Sequence, residues 1–162
     1  MAITAVFSAD DVILDMDAPG KRDLLERLAT EAAARLGRTE AEVLDALKDR
    51  ERIGSTALGK GVALPHAELA GDIRRFMLFA RLHRAIDFGA QDDEPVDLVF
   101  LVLWPAAGGK DLLSTMSEIC RFLREPQILR DLRSASTPER VVEIMHQVAS
   151  FAPPPPAPAA QP

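Results

Sequence analysis

One stretch of twenty residues, RERIGSTALGKGVALPHAEL at positions 50–69, concentrates side chains that bind and accept phosphoryl groups. Arg50 and a second arginine two positions later supply guanidinium groups, which match the geometry of a phosphate dianion. Ser55 and Thr56 add hydroxyl donors. The stretch nearly ends on His66, and neutral imidazole, with an ordinary pKa of about 6.5, is a nucleophile at neutral pH. These residues could bind a phosphoryl group and accept it.

The glycines and the proline of this stretch bear on how such a site would be built. Gly54, Gly59 and Gly61 would let the backbone approach an anion closely and turn its N–H groups toward it. Pro65 fixes its own φ and favours an extended residue before it, so His66 would leave a stiff backbone. The alternative is a plain turn, in which the glycines serve geometry alone and His66 is solvated at a strand end. The residues by themselves leave both interpretations open.

A nucleotide site is the other phosphate chemistry to weigh. GSTALGKG nearly matches the Walker A pattern, but Gly61 stands where that pattern needs a magnesium-binding hydroxyl. The surroundings also differ, because a P-loop follows a strand and opens a helix. Here the preceding segment is predicted as a helix and the following one as a strand. The pattern therefore argues against an NTPase.

Two helices are predicted before this stretch. KRDLLERLATEAAARLG repeats apolar residues at helical spacing and ends at Gly37; they are Leu24, Leu25, Leu28, Ala32 and Leu36. Thr39 and Glu42 form a capping-box pattern for a second helix, which should end before Gly54.

The segments after the stretch predict the rest of an α/β domain. RRFMLFARLH alternates like a strand, and the apolar run at 96–104 predicts a strand buried on both faces. Three helices follow, in KDLLSTMSEICRFLRE, PQILRDLRSA and TPERVVEIMHQVAS. We predict a single α/β domain over 1–150, with a mixed β-sheet flanked by helices on both faces. The Pro/Ala-rich segment 151–162 is predicted to be an extended, disordered tail.

The composition of the chain argues against several classes of function. Nineteen Lys and Arg against twenty-five Asp and Glu give a net charge of −6, with no basic stripe, so no nucleic-acid partner is expected. No apolar run is long enough for membrane insertion, and the N-terminus lacks a signal-peptide pattern, which predicts a cytoplasmic protein. Cys120 is a lone cysteine, and the histidines lack ligand spacing, so neither metal nor cofactor is expected.

The stretch at 50–69, together with IDFGAQDDEPVDLVFLVLWPA, resembles the IIA domains of the bacterial phosphotransferase system, fructose/mannitol class. The resemblance covers roughly residues 9–150, and within the class it is greatest to the stand-alone nitrogen-regulatory members. It implies that His66 accepts a phosphoryl group on Nε2 and that Arg50 neutralises its charge. It further implies that the loop residues complete the pocket; these are Gly54, Ser55, Thr56, Gly59 and Gly61.

The resemblance also implies partners. The donor would be a phosphohistidine on HPr or on its nitrogen-branch relative, and the phosphorylation state would regulate proteins such as sensor kinases or potassium-transport machinery. One alternative is a sugar-specific IIA component that passes phosphate to a IIB domain for fructose or mannitol. Another is a non-catalytic binding module that has lost efficient transfer.

One departure from the family pattern bears on that last alternative. Many members carry a second histidine early in the helix after WPA, where this chain has Leu112, Leu113 and Ser114. Its supporting role could fall to Ser114 or Lys110, or transfer could be slower. His83 is interpreted as a surface residue, and His146 as a residue at the flank of the apolar stripe of the last helix. Trp104 is interpreted as core or pocket rim, and the acidic cluster Asp92, Asp93 and Glu94 as a solvated turn.

Overall fold

A mixed sheet lies between two groups of helices in the computed structural model, which describes residues 7–151, apart from the side chains of 108–110 and 148–151. The elements in chain order are β1 (Val12–Met16), α1 (Lys21–Leu36), α2 (Glu40–Ile53), β2 (Ala57–Gly59), β3 (Val62–Ala63), β4 (His66–Leu69), β5 (Phe76–Ile86), β6 (Val96–Pro105), α3 (Gly109–Phe122), α4 (Pro126–Ser134) and α5 (Pro138–Phe151).

The strand order is β1-β5-β6-β3-β2, and β4 also pairs with β6, directly beyond β3. β5 runs antiparallel to β6, whereas β3 and β4 run parallel to it, which confirms the predicted mixed sheet. Strand β1 was not predicted. Asp15 has a positive φ of 59°, and the pairing with β5 is irregular between Ile13 and Met16, so the apolar alternation that marks a strand is broken.

Strand β6 divides the core in two, as its apolar run predicted. Val99, Leu101 and Leu103 belong to the cluster that contains the buried faces of α1 and α2. Leu98 and Phe100 belong to the cluster formed with α3, α4 and α5. Helices therefore cover both faces of the sheet, as the sequence predicted.

Helix α2 begins shortly after the end of α1 and ends directly before the loop of the candidate site. Gly37 ends α1 in the left-handed conformation at φ 66°. The Thr39 hydroxyl accepts from the Glu42 amide at 3.2 Å, while the Glu42 carboxylate pairs with Arg38 at 2.9 Å. α2 ends before Gly54, as predicted, so the RER sequence forms its last turn.

Two sequence predictions concern the ends of the chain and the membrane. The segment 151–162 lies outside the described residues, apart from Phe151, which is the last residue of α5. Among the helices of residues 7–151, none has the length and apolar character required to cross a bilayer.

Candidate functional site

His66 opens β4 and is fixed by its backbone neighbours. It pairs with Val102 of β6, and the Pro65 carbonyl accepts from the Val102 amide at 3.0 Å. The imidazole Nδ1 lies 2.9 Å from the Leu64 carbonyl, which can only accept a hydrogen bond. Nδ1 therefore carries the proton, and Nε2 is the unprotonated nitrogen whose lone pair can accept a hydrogen bond or attack a phosphorus. The Leu64 amide is bonded in turn to the Thr56 carbonyl at 2.9 Å, so the loop fixes the residue that orients the ring.

Arg50 lies against the reactive side of this imidazole. Its Nε donates to Nε2 of His66 at 3.1 Å, and its Nη1 donates to the Gly54 carbonyl at 3.0 Å. Both contacts fix the plane of the guanidinium, and among residues 7–151 its Nη2 has no acceptor. A phosphoryl group on Nε2 would be bonded through the lone pair that now accepts from Arg50, and would therefore replace this hydrogen bond. The structure thus brings together the two residues that the sequence placed sixteen positions apart.

Burial lowers the pKa of His66 below its ordinary value, and the positive charge of Arg50 lowers it further. The Leu64 carbonyl, which accepts from the protonated ring, and the charge of Glu51 act in the opposite direction. The net effect keeps the imidazole neutral, and hence nucleophilic, to lower pH than a free histidine.

We therefore expect phosphoryl acceptance to depend weakly on pH between 7 and 8 and to fall only below about pH 6.5. Protonation fills the Nε2 lone pair and places a cation beside Arg50, so the acidic limb should follow the lowered pKa of His66. A proton NMR titration of the His66 ring, compared with the pH profile of the acceptance rate, checks this. A ring that titrates above its ordinary pKa would contradict it.

Ser55 and Thr56 take up structural hydrogen bonds. The Ser55 hydroxyl donates to the Phe88 carbonyl at 3.0 Å and accepts from the Ala57 amide at 3.2 Å. Thr56 is buried, and its hydroxyl donates to the Glu51 carboxylate. Because each hydroxyl has a single proton, donation to phosphate would require these bonds to break. In this geometry both residues shape the loop.

Gly59 and Gly61 lie in the tight turn between β2 and β3, with φ of 90° and 81°. The Asp97 amide bonds to the Gly61 carbonyl, whereas His66 pairs with Val102, which places Gly61 about 16 Å from His66 along the sheet. The turn is bonded on both sides. Its Lys60 amide donates to Asp92 at 2.8 Å, and its Lys60 carbonyl accepts from Arg133 at 2.6 Å.

We expect Gly61→Ala to lower the free energy of unfolding by about 1–3 kcal/mol. A Cβ at position 61 would lie 2.9 Å from the Asp97 carboxylate and 3.3 Å from the Pro95 carbonyl, on a left-handed backbone. Gly54→Ala is the matched control for stability, because Gly54 has extended backbone and nothing within 4 Å of its Cβ position. Urea unfolding measures both, and equal losses would contradict the expectation.

The positions where the resemblance implies a second histidine hold Leu112, Leu113 and Ser114. Leu112 packs on the cluster of α3, α4 and α5, and the neighbouring Leu113 is 75% exposed. The Ser114 hydroxyl donates to the Asp111 carbonyl of its own helix at 3.0 Å. The side chain of Lys110 lies outside the described residues. No described contact therefore assigns the missing support to Ser114.

The other histidines lie apart from His66. His83 is exposed on β5, six residues beyond Met77, which pairs with the Val102 that flanks His66; that separation is about 20 Å. His146 is exposed on α5. The exposure of His83 confirms its interpretation as a surface residue, and that of His146 agrees with a position at the flank of the apolar stripe.

Trp104 lies two residues beyond Val102 on β6 and is 3% exposed, which agrees with the core alternative of its interpretation as core or pocket rim. The Arg75 guanidinium covers its ring at 5.6 Å and also pairs with Asp111 at the start of α3. In the described part of the chain its indole Nε1 is buried without a hydrogen-bond partner.

The site contains one group that the sequence interpretation did not single out. Glu51, between Arg50 and Arg52, receives the Thr56 hydroxyl and an ion pair from Lys21 at 2.8 Å. It stands in the quoted motif, but only the fold shows that its side chain turns inward.

Comparisons with known proteins show what the chain is similar to. The sequence model of the family described as phosphoenolpyruvate-dependent sugar phosphotransferase system, EIIA 2, matches residues 5–148. The chain is 38% identical to a nitrogen regulatory protein of Bradyrhizobium diazoefficiens over 90% of this chain and 95% of that one. It is 37% identical to a fructose-specific EIIA component of Haloferax volcanii, over 65% of this chain and 68% of that one.

A solved structure shows the same fold. The nitrogen regulatory protein IIA-Ntr of Neisseria meningitidis superimposes with a TM-score of 0.84 at 30% identity, over 88% of this chain and 98% of that one. The likeness extends over almost the whole of the described domain.

Proposed function

The chain belongs to the type 2 EIIA family of the phosphoenolpyruvate-dependent sugar phosphotransferase system, and on that premise we propose that it is a nitrogen-branch phosphocarrier whose acceptor is His66. Proteins of this family are phosphocarriers that interact with other phosphotransferase components. The observation that carries the proposal is the contact of Arg50 with Nε2 of His66 at 3.1 Å, on a ring whose other nitrogen is bonded to the backbone.

In the proposed step, the hydrogen bond from Arg50 Nε to Nε2 of His66 breaks, and the released Nε2 lone pair attacks the phosphorus of a phosphohistidine on the donor. The new N–P bond forms as the donor's N–P bond breaks, and its electron pair returns to the donor imidazole. No proton need move, because Nδ1 of His66 keeps its hydrogen bond to Leu64. Alignment and charge neutralisation are what phosphoryl transfer needs from a protein, and His66 and Arg50 supply both.

The remaining predicted residues support that pair. The Gly54 carbonyl orients Arg50, and Pro65 fixes the backbone that presents the ring. Ser55 and Thr56 hold the loop, while Gly59 and Gly61 form its hairpin turn. We propose the predicted domain at 1–150, extended by Phe151 at the end of α5, as the functional unit, with the rest of 151–162 as a tail.

The proposed donor is an HPr-like carrier of the nitrogen branch, and the proposed targets are regulatory proteins such as sensor kinases or potassium-transport proteins. The similarity to nitrogen regulatory proteins over nearly the whole chain supports this branch. A fructose- or mannitol-specific IIA role is the second candidate, favoured by the shorter similarity to a fructose-specific component.

Intact mass spectrometry tests the proposal. The protein is incubated with phosphoenolpyruvate, the upstream enzyme and an HPr-like carrier, and we expect it to gain one acid-labile phosphoryl group. A fructose-specific IIB domain is then added. Rapid loss of the group to IIB would favour the sugar role over the nitrogen role. A protein that gains nothing while its carrier is phosphorylated would overturn the carrier function and favour the binding module.

A further inference from the structure

The last turn of α2 places a buried carboxylate next to a site proposed to receive a dianion. The Glu51 side chain is 7% exposed, and it follows directly on Arg50 in the helix. Its charge acts on His66, whose pKa it raises. A carboxylate so placed would repel an incoming phosphoryl group and make the phosphohistidine less stable.

Lys21, the first residue of α1, compensates that charge. Its Nζ lies 2.8 Å from Oε2 of Glu51, and its side chain is only 31% exposed. The ammonium also donates to the Phe88 carbonyl at 3.3 Å and lies 4.4 Å from the Phe88 ring centroid. Three contacts thus fix the cation between the two helices and the loop before β6.

The same carboxylate organises the loop. Besides Lys21, Glu51 receives the Thr56 hydroxyl and, at 3.4 Å, the Thr56 amide. The Thr56 carbonyl in turn binds the amide of Leu64, the residue that orients the His66 ring. Glu51 therefore stabilises the loop as a hydrogen-bond acceptor, whereas its negative charge disfavours a phosphoryl group on His66.

We propose that Lys21 is a positioning residue that neutralises Glu51, so that this carboxylate can hold the loop beside His66 without repelling the phosphoryl group. The inference rests on the proposed function, since the repulsion matters only if a phosphoryl group arrives. It assigns a role to two residues that contact no phosphate themselves.

A double-mutant cycle tests the proposal through Lys21→Met, Glu51→Gln and the combined variant. We expect Lys21→Met to slow phosphoryl acceptance on the order of tenfold, because it leaves the carboxylate uncompensated. Glu51→Gln keeps an oxygen for the Thr56 hydroxyl but loses the oxygen that accepts from the Thr56 amide, so any slowing should be smaller than in Lys21→Met. The combined variant, which is neutral at both positions, should return to within about twofold of the wild-type rate.

NMR titration of His66 gives a second measurement, because the pKa of His66 would not change in this pattern if Lys21 only held α1 and α2 together. Its pKa should rise in Lys21→Met, fall in Glu51→Gln and return toward wild type in the combined variant. Arg22→Met is the matched control, because Arg22 is the next residue of α1 and its side chain is 82% exposed. It removes the same charge and should change neither readout.

Two outcomes would overturn the inference. In the first, the combined variant accepts the phosphoryl group as slowly as Lys21→Met, which would mean that Lys21 acts only by holding the helices together. In the second, Lys21→Met changes neither the acceptance rate nor the pKa of His66. If Lys21→Met does not fold, Lys21→Arg and the combined variant still test it, and both should transfer. A wild-type protein that accepts no phosphoryl group would defeat the proposed function instead, while the titrations would still report on the charge compensation.

Discussion

His66→Ala is expected to abolish phosphoryl acceptance, with no gain in mass under conditions where the wild type is fully converted. The substitution removes the only nucleophile that Arg50 contacts, and no second histidine lies beside it in the described part of the chain. Charge neutralisation alone cannot form the N–P bond. Intact mass after incubation with the phosphorylated carrier measures the result.

Two controls accompany that measurement. His83→Ala and His146→Ala remove the other histidines, both exposed, and should be phosphorylated like the wild type. His66→Gln keeps most of the side-chain volume, so loss of acceptance in a variant with wild-type circular dichroism excludes misfolding. Phosphorylation of either His66 variant would contradict the assignment of the acceptor.

Arg50→Gln is expected to slow acceptance by about 10²–10³-fold, the range found when one preorganised donor to a developing charge is removed. Glutamine is neutral and loses both the charge and the planar fork that now joins His66 to Gly54. Arg50→Lys keeps the positive charge but lacks the planar fork, so its acceptance rate should lie between those of the wild type and Arg50→Gln. Rapid-quench measurement of the acceptance rate gives the order.

Titration of His66 shows whether a slow Arg50→Gln variant has lost the contact between Arg50 and the imidazole. Arg50 lowers the pKa of His66, so its removal should raise that pKa. A slow variant with a raised pKa indicates loss of the contact seen here. A rate within a few-fold of wild type would contradict the role of Arg50, whatever the pKa.

Much of the fold could be predicted from the sequence because the periodicities are clear. The apolar spacing of α1, the cap at Thr39 and the doubly buried β6 all follow local rules, and each is present. Strand β1 was not predicted, because Asp15 interrupts the alternation of apolar residues in this edge strand. A pattern rule cannot detect a strand whose irregularity is set by its pairing with β5.

The site was predictable in part. The Pro-His pair and Arg50 indicated phosphate chemistry, and the fold brings them within hydrogen-bond distance. The ion pair between Lys21 and Glu51 could not be predicted, because it joins residues thirty positions apart whose contact depends on how α1 packs on α2. The hairpin that carries Gly61 away from His66 likewise depends on pairing with β6.

The most direct measurement is the nitrogen to which the phosphoryl group is attached. Long-range ¹H–¹⁵N NMR of the phosphorylated, ¹⁵N-labelled protein distinguishes the two ring nitrogens of His66. The hydrogen bond from Nδ1 to Leu64 and the contact of Arg50 with Nε2 predict phosphorylation at Nε2, with Nδ1 still protonated. A phosphoryl group on Nδ1, or on a residue other than His66, would contradict the account.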